Sequence, residues 1–187
     1  MAVTAITGDV GSGKSTAAKI LAGILGCECL DSDRLAKSMW LREDVKARAV
    51  KRWGGEILDA SGEIVLSRIA EHVFSAKSES DFCNGMIHPL VMAELRERVR
   101  NLSTAVLEIP LLAEAGRPEW IDKAIYVTAD FALRAARCES QRDWSVEELR
   151  RREKLLLPQR ERMSVCEYVI HNDNNIYELE WRLQEII

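Results

Sequence analysis

The sequence of 187 residues has no long apolar run and no excess of basic residues. No stretch approaches the roughly 20 apolar residues of a membrane-spanning helix. The first residues, MAVTAITG, lack the basic start and apolar run of a secretory signal. A formal net charge of -4 argues against general binding to nucleic acid. We therefore expect a cytoplasmic protein with neither a membrane nor a nucleic-acid partner.

The sequence also lacks any C-x-x-C pair, and its three histidines are scattered, so a cysteine-based metal site has little support. An odd number of cysteines in mostly apolar or amphipathic stretches favours a reducing compartment and packing roles. Cys27 and Cys29 alternate, which predicts that both face the same side of a strand. The cysteines are Cys27, Cys29, Cys83, Cys138 and Cys166.

Short apolar runs rich in β-branched residues alternate with long amphipathic stretches. This pattern is typical of strands and helices around a parallel sheet, so we expect an α/β fold with a five-stranded parallel sheet flanked by helices. In the last helix, Ile176, Leu179, Leu183 and Ile186 recur at helical spacing and predict one stripe against the sheet. The predicted strands are 3–7, 27–30, 105–109, 123–128 and 168–170.

Two segments between predicted strands are too long for simple crossovers. Residues 34–103 read as helices broken by a turn around 53–62, and we interpret them as a helical, substrate-facing insertion. Residues 134–162 form a second insertion. There, Ser145 and Glu148 have the spacing of a capping box at the start of an arginine-rich helix.

The stretch GDVGSGKST, residues 8–16, has the spacing G-x-x-x-x-G-K-[ST] between a predicted strand and a predicted helix. Glycines let backbone N–H groups turn towards phosphate oxygens, and the helix presents its positive end to the same charge. Lys14 would reach the β- and γ-phosphates of ATP, and Ser15 would hold Mg²⁺. The predicted ATP-binding residues in this loop are Gly8, Gly11, Ser12, Gly13, Lys14, Ser15 and Thr16.

Acidic residues follow two predicted strands, at the edge where ligands bind in open α/β sheets. Asp31 and Asp33 follow the second strand, and Asp33 is the better candidate for the base that orients an acceptor hydroxyl. The alternative role for Asp33 is to cap the next helix. Glu108 ends the third strand, where it would hold Mg²⁺ with Ser15 or form a salt bridge at the loop edge.

The second insertion carries nine basic residues against six acidic ones. Charge runs on helices are usually solvated faces, and we assign most of these residues to such faces. We select Arg137 as an ATP contact and Arg142 as a catalytic residue. Both lie near the expected hinge of a lid, whose closure would bring guanidinium groups to the transferring phosphoryl group.

Six motifs together resemble the dephospho-coenzyme A kinase family over nearly the full length. P-loops are widespread, whereas the Asn-x-x-x-His-Pro and Pro-Leu-Leu-x-Glu patterns in this order are far more discriminating. The resemblance therefore narrows the expected phosphoryl acceptor to a precursor of coenzyme A. The motifs are TGDVGSGKST, CLDSDRLAK, WGGEILDASGEI, NGMIHPLV, VLEIPLLAE and YVIHN.

The resemblance implies a P-loop kinase that transfers the γ-phosphoryl group of ATP, with Mg²⁺, to the ribose 3′-hydroxyl of dephospho-CoA. Asp33 would be the base, and His88, Pro89 and Leu111 would lie on the substrate side. The alternative for His88 is a packed histidine at a helix start before Pro89. The implied domains are a core of 1–33, 104–133 and 163–187, a helical CoA domain of 34–103 and a lid of 134–162.

The sequence departs from the family pattern at four positions. Asp9 replaces a usual glycine in the phosphate loop, and Leu66 replaces a usual arginine on the CoA side. Glu108 stands where many members have aspartate, and Leu156 where the lid often has glutamine. Two alternatives therefore stay open, namely another small-molecule kinase and a weakly catalytic nucleotide-binding module. We expect a monomer, with weak self-association as the alternative.

Overall fold

The structure, a computed structural model, describes residues 2–187, in which strands and helices alternate along the chain. The strands are β1 (Ala2–Gly8), β2 (Glu28–Asp31), β3 (Thr104–Glu108), β4 (Lys123–Thr128) and β5 (Tyr168–His171). The helices are α1 (Lys14–Leu25), α2 (Ser32–Met39), α3 (Glu43–Trp53), α4 (Leu66–Val73), α5 (Lys77–Val99), α6 (Leu112–Ala115), α7 (Phe131–Arg142), α8 (Val146–Glu153), α9 (Gln159–Ser164) and α10 (Ile176–Gln184). A short 3₁₀ helix, Gly55–Ile57, separates α3 from α4.

The five strands form one sheet in the order β2-β3-β1-β4-β5, and each neighbouring pair is parallel. The predicted α/β class and five-stranded parallel sheet are therefore confirmed. β1 is buried at every position after Ala2, and β4 at every position after Lys123. Central strands of this kind have both faces covered, which explains their nearly continuous apolar sequences.

An apolar core packs α1 and α10 against the sheet. Ile6 and Ile125 contribute from the strands, and Leu21 contributes from α1. The predicted stripe on the last helix is only partly right. Leu179 and Leu183 are buried in this core and Ile186 packs against it. Ile176 is 54% exposed because it opens the helix in its first turn, directly after the cap residue Asn175.

Strand β2 begins one residue later than predicted, at Glu28. Gly26 ends α1 in the left-handed conformation, with φ of 60°. The N–H of Cys27 then donates to the carbonyl of Ala22 over 3.0 Å, as in a Schellman cap. The backbone of Cys27 therefore closes the helix instead of opening the strand, although Cys27 and Cys29 both pack against the core.

The cysteines are all free thiols. Burial raises the pKa of Cys83 to about 11. Burial, together with the nearby carboxylates of Glu108 and Asp31, raises the pKa of Cys29 to about 11. Thiols with such pKa values stay protonated and react slowly near neutral pH, which fits packing roles.

The chain divides into two compact units. The first contains the residues up to Ser32 and Arg96–Ile187, and the second is Asp33–Leu95. Inside the second unit, the Trp53 ring stacks on His72 with centroids 5.4 Å apart. The Trp53 indole N–H donates to Glu79 over 2.7 Å. No helix among residues 2–187 combines the length and the apolar character needed to cross a bilayer.

Candidate active site

The phosphate loop joins the end of β1 to the start of α1, and its geometry requires glycine at Gly8, Gly11 and Gly13, which all have positive φ. Gly8 has φ of 143°, and a Cβ there would lie 1.9 Å from the carbonyl oxygen of Val127. Gly13 has φ of 91°, and a Cβ there would lie 2.4 Å from the side-chain amide of Asn172. Helix α1 has no side-chain cap and no acidic residue in its first turn, so its positive end favours an anion.

Lys14 and Ser15, the first two residues of α1, contact groups at the carboxyl edge of the sheet. The Lys14 ammonium donates to the main-chain carbonyl of Asp9 over 2.7 Å. The Ser15 hydroxyl donates to Oε1 of Glu108 over 2.6 Å. Asp31 pairs with Glu108 in the β2–β3 register. The structure therefore brings together Ser15 and Glu108, the two predicted metal ligands, as oxygen donors of the kind that Mg²⁺ prefers.

Asp9, the unusual residue of the loop, is buried and held by four side-chain donors. Its Oδ1 accepts from the Tyr126 hydroxyl over 2.8 Å and from Nη2 of Arg162 over 2.9 Å. Its Oδ2 accepts from the Thr128 hydroxyl over 2.6 Å and from Nε2 of Gln159 over 2.8 Å. The Asp9 carboxylate thus links the loop to β4 and to α9.

The hydrogen bonds around Asp9 set its charge state. Burial alone would raise the pKa of the Asp9 carboxyl group. The hydrogen bonds from Thr128 and Tyr126, together with the charges of Arg162 and Arg134, outweigh burial and hold this pKa below its ordinary value. Burial, reinforced by the neighbouring Asp9 charge, raises the pKa of Tyr126 well above its ordinary range. Asp9 is therefore an ionised carboxylate facing a neutral phenol at neutral pH.

Two arginines of α7 hold the main chain of the loop. Arg137 donates to the carbonyl of Asn172 over 2.9 Å and to that of Ser12 over 3.4 Å. The Asn172 side chain also donates to the carbonyl of Ser12, over 2.8 Å. Arg134 donates to the carbonyl of Val10 over 3.1 Å and is paired with Glu153 of α8. The predicted ATP contact Arg137 therefore lies beside the loop.

Arg142, the other arginine selected from the sequence, ends α7 and is exposed. Its guanidinium lies 4.9 Å from the ring centre of Trp144. Arg152 of α8 lies over the same ring at 3.9 Å. Two guanidinium groups therefore pack on the Trp144 ring, in the segment predicted to be a lid. The catalytic role of Arg142 stays a prediction.

Three predicted substrate-side residues lie in the second unit. Helix α2 begins at Ser32, so Asp33 stands in its first turn and not at its cap. The alternative that Asp33 caps this helix is therefore wrong. Pro89 lies inside the 23-residue helix α5, so the alternative that His88 is at a helix start is also wrong. His88 is half-buried, and burial lowers its pKa.

The remaining positions singled out on the substrate side are Leu111 and Leu66. Leu111 is half-buried and directly precedes α6. Leu66 opens α4 and is 42% exposed. Arg68, near Leu66, donates to the carbonyls of Glu56 and Leu58 over 2.8 and 2.5 Å. Arg68 therefore holds the turn around the 3₁₀ helix together.

Sequence reasoning missed the side chains that support the phosphate loop. Asn172 follows β5 at the carboxyl edge of the sheet, so the rule that selected Asp31 and Glu108 would also have selected it. Tyr126 and Thr128 lie inside an apolar strand, and Arg162 is one of many charges in its segment. Nothing local distinguishes these three residues, because their role depends on contacts with a residue more than a hundred positions away.

A phosphate loop between the first strand and the first helix of a five-stranded parallel sheet places the chain in the class of P-loop nucleotide-binding proteins. Two solved structures share this fold. TT1252 from Thermus thermophilus is 30% identical with a TM-score of 0.79, and the match covers 99% of this chain and 95% of that one. A dephospho-CoA kinase from Campylobacter jejuni is 20% identical with a TM-score of 0.68, covering 98% of this chain and 94% of that one.

Sequence comparison identifies the family within this class. The profile of the dephospho-CoA kinase family matches residues 2–178. A dephospho-CoA kinase from Fusobacterium nucleatum is 32% identical over 183 residues, which cover 95% of this chain and 92% of the relative. The chain belongs to the dephospho-CoA kinase family, as the motif resemblance predicted.

Proposed function

We propose that this protein transfers the γ-phosphoryl group of ATP to the ribose 3′-hydroxyl of dephospho-CoA, the last step of coenzyme A biosynthesis. The observation that carries the proposal is the extent of the family match. It spans residues 2–178 and so includes the phosphate loop, the acidic strand ends and the helical second unit. Phosphate binding alone would leave the acceptor open, whereas the substrate-side motifs lie within the matched region.

In this proposal the loop binds the triphosphate through backbone N–H groups and the positive end of α1. Lys14 exchanges the carbonyl of Asp9 for the β- and γ-phosphate oxygens. Arg137, which already contacts the carbonyl of Ser12, contributes positive charge beside the phosphates. The residues proposed to bind ATP are Gly8, Gly11, Ser12, Gly13, Lys14, Ser15, Thr16 and Arg137.

Ser15 and Glu108 would hold Mg²⁺. Their oxygens are 2.6 Å apart, and a hydroxyl with a carboxylate suits a cation that keeps several waters and binds phosphate oxygens. When bound, Mg²⁺ neutralises charge on the β- and γ-phosphates. The protein's own part is to place these two oxygen donors at the start of α1 and the end of β3.

On the acceptor side, Asp33 would accept the proton of the 3′-hydroxyl as the phosphoryl group arrives. Arg142 would stabilise the charge on that group once the lid segment closes. His88, Pro89 and Leu111 would contact dephospho-CoA. We further propose that the protein works in the cytoplasm as a monomer, and free thiols throughout the chain are compatible with a reducing compartment.

A coupled assay of ADP release tests the proposal most directly. Dephospho-CoA, adenosine, a nucleoside monophosphate and shikimate are offered separately with ATP and Mg²⁺. We expect turnover with dephospho-CoA and a specificity constant at least about a hundredfold higher than for the other acceptors, because a site built to pair polar groups rejects ligands that lack them. Turnover with another acceptor alone would show a different small-molecule kinase. ATP binding without turnover on any acceptor would favour a nucleotide-binding module.

A further inference from the structure

The Asp9 carboxylate is occupied entirely by protein groups from distant parts of the chain. Its partners lie 117 to 153 positions away in the sequence, and only 2% of its side chain is exposed. A carboxylate placed in a phosphate loop would repel the nucleotide if it faced the anion. Here the paired charge of Arg162 and three further donors hold it inside the protein.

The backbone of Asp9 belongs to the loop itself. Its carbonyl accepts from the Lys14 ammonium over 2.7 Å and from the N–H of Ser12 over 3.3 Å. Its own N–H donates to the carbonyl of Val127 over 3.1 Å. Any displacement of the Asp9 side chain therefore moves the hydrogen bonds that shape the loop.

We propose that Asp9 is a positioning residue that couples the shape of the phosphate loop to α9, so that contacts made by α9 set the affinity for ATP. A loop that is already ordered loses less conformational freedom when phosphate binds. This inference takes from the proposed function only that ATP is the ligand of the loop. It adds an influence of α9 on ATP affinity that the G-x-x-x-x-G-K-[ST] pattern does not predict.

Of the two elements that hold the Asp9 carboxylate, β4 and α9, the helix α9 is the one that can move more easily. Tyr126 and Thr128 are buried in β4, in the middle of the sheet. Helix α9 has only six residues. Its first residue, Gln159, is exposed, while Arg162 is buried and keeps Nη1 without a hydrogen-bond partner among residues 2–187. A six-residue helix that is linked to Asp9 through Gln159 and Arg162 is easier to shift than an interior strand of the sheet.

The substitution Gln159→Glu tests the coupling, because it places a second carboxylate beside that of Asp9 with almost no change in volume. Gln184→Glu makes the same chemical change at an exposed position of α10 and serves as the control. ATP affinity is measured by calorimetry with Mg²⁺, without acceptor, at pH 8. We expect about tenfold weaker binding for Gln159→Glu, equivalent to about 1.4 kcal/mol, and no change for Gln184→Glu.

A double-mutant cycle separates positioning from a merely structural role. Asp9→Asn alone is expected to weaken ATP binding about tenfold. In the Asp9→Asn background, Gln159→Glu should have lost most of its effect, since the repulsion requires both carboxylates. If Asp9→Asn does not fold, Gln159→Met replaces the cycle. It removes the donor without adding charge and should lower the affinity less than Gln159→Glu does.

Steady-state kinetics give a second readout. For Gln159→Glu, the KM for ATP should rise while the KM for dephospho-CoA and kcat at saturating ATP stay within about twofold of the wild-type values. Wild-type ATP affinity in folded Gln159→Glu, or an equal effect with and without Asp9, would overturn the proposal. ATP binding without dephospho-CoA turnover in the wild type would refute only the proposed function. A wild-type chain that does not bind ATP would refute both.

Discussion

Asp33 lies two residues beyond the end of β2, in the first turn of α2, and its carboxylate is the proposed base. Replacing Asp33 with asparagine keeps the shape and removes the proton acceptor. We expect kcat to fall by about 10² to 10⁴-fold, the usual contribution of a general base. ATP affinity should stay unchanged, because the phosphate loop remains intact. Stopped assays with dephospho-CoA and calorimetry with ATP measure the two quantities.

The matched control for this change is Asp81→Asn, which removes an exposed carboxylate of the same unit whose partner is Lys77. Its kcat should equal that of the wild type, since exposed ion pairs contribute little. Full activity of Asp33→Asn would remove Asp33 as the base, and the acceptor hydroxyl would then be activated by another group.

The ionised state of Asp9 predicts a pH dependence of stability. Because its folded pKa is lowered from the ordinary 3.8, Asp9 contributes stability above that pH and loses it as the pH falls through the folded pKa. The groups facing its carboxylate are Tyr126, Thr128, Gln159 and Arg162, with Arg134 nearby.

We therefore expect Asp9→Asn to lower the free energy of unfolding by about 2 kcal/mol at pH 7, the cost of losing hydrogen bonds to a charged group. The difference from the wild type should be constant down to about pH 5 and shrink below about pH 4. Urea unfolding of both proteins between about pH 3 and pH 8 measures it. A difference that grows towards acidic pH would contradict an ionised Asp9 in the folded state.

At the scale of elements, the start of the phosphate loop depends on how closely β1 approaches β4. A Cβ at Gly8 would lie 1.9 Å from the backbone oxygen of Val127. This oxygen cannot move away as a side chain could, because Val127 belongs to the strand paired with β1. Gly8→Ala should lower the free energy of unfolding by at least about 3 kcal/mol, because it combines overpacking with a strained φ.

Gly23 gives the control from the neighbouring element. It lies inside α1, and a Cβ there would meet no atom within 4 Å. Gly23→Ala should therefore raise the free energy of unfolding by about 0.5–1 kcal/mol, since alanine has the higher helix propensity. Urea midpoints of the two variants should shift in opposite directions. Similar shifts for both would mean that the contact with Val127 is not tight.

Elements were predictable from the sequence where the signal is local. The phosphate loop could be recognised from the spacing of its glycines, lysine and serine alone. The capping pattern also predicted correctly that Ser145 accepts a hydrogen bond from the N–H of Glu148. The start of β2 was wrong by one residue because the closing hydrogen bond of α1 uses Cys27. The predicted packing of Ile176 on the sheet was wrong, and this residue is exposed, because periodicity does not show where a helix begins relative to the sheet.

For the whole molecule, the fold class could be predicted from the sequence, whereas the side chains that hold the phosphate loop in place could not. Parallel strands bring their carboxyl ends to one edge, so the strand pattern alone predicts that Glu108 lies near Ser15. The bond between Asp9 and Arg162 joins residues 153 positions apart. No spacing rule relates such positions, and nothing in the sequence distinguishes Arg162 from the other basic residues of its charged segment.

The division into two units leads to a prediction about ligands. If the second unit, Asp33–Leu95, supplies most of the contacts to dephospho-CoA and the first unit binds ATP, each ligand should slow amide hydrogen exchange mainly in the unit that supplies most of its contacts. We expect dephospho-CoA alone to protect the segment of α5 around His88. ATP with Mg²⁺ should protect residues 8–16 and α9. Mass spectrometry of the exchanged peptides locates both effects.

The variant His88→Gln decides whether this histidine binds or only packs. If His88 contacts dephospho-CoA, His88→Gln should reduce the protection of α5 by that ligand. It should also raise the KM for dephospho-CoA about tenfold, because one polar contact is lost. The exposed His171→Gln should change neither quantity, because His171 lies at the end of β5 in the first unit. A wild-type KM in a His88→Gln variant of reduced thermal stability would assign His88 to packing inside α5. The helical unit would then bind the acceptor through other side chains.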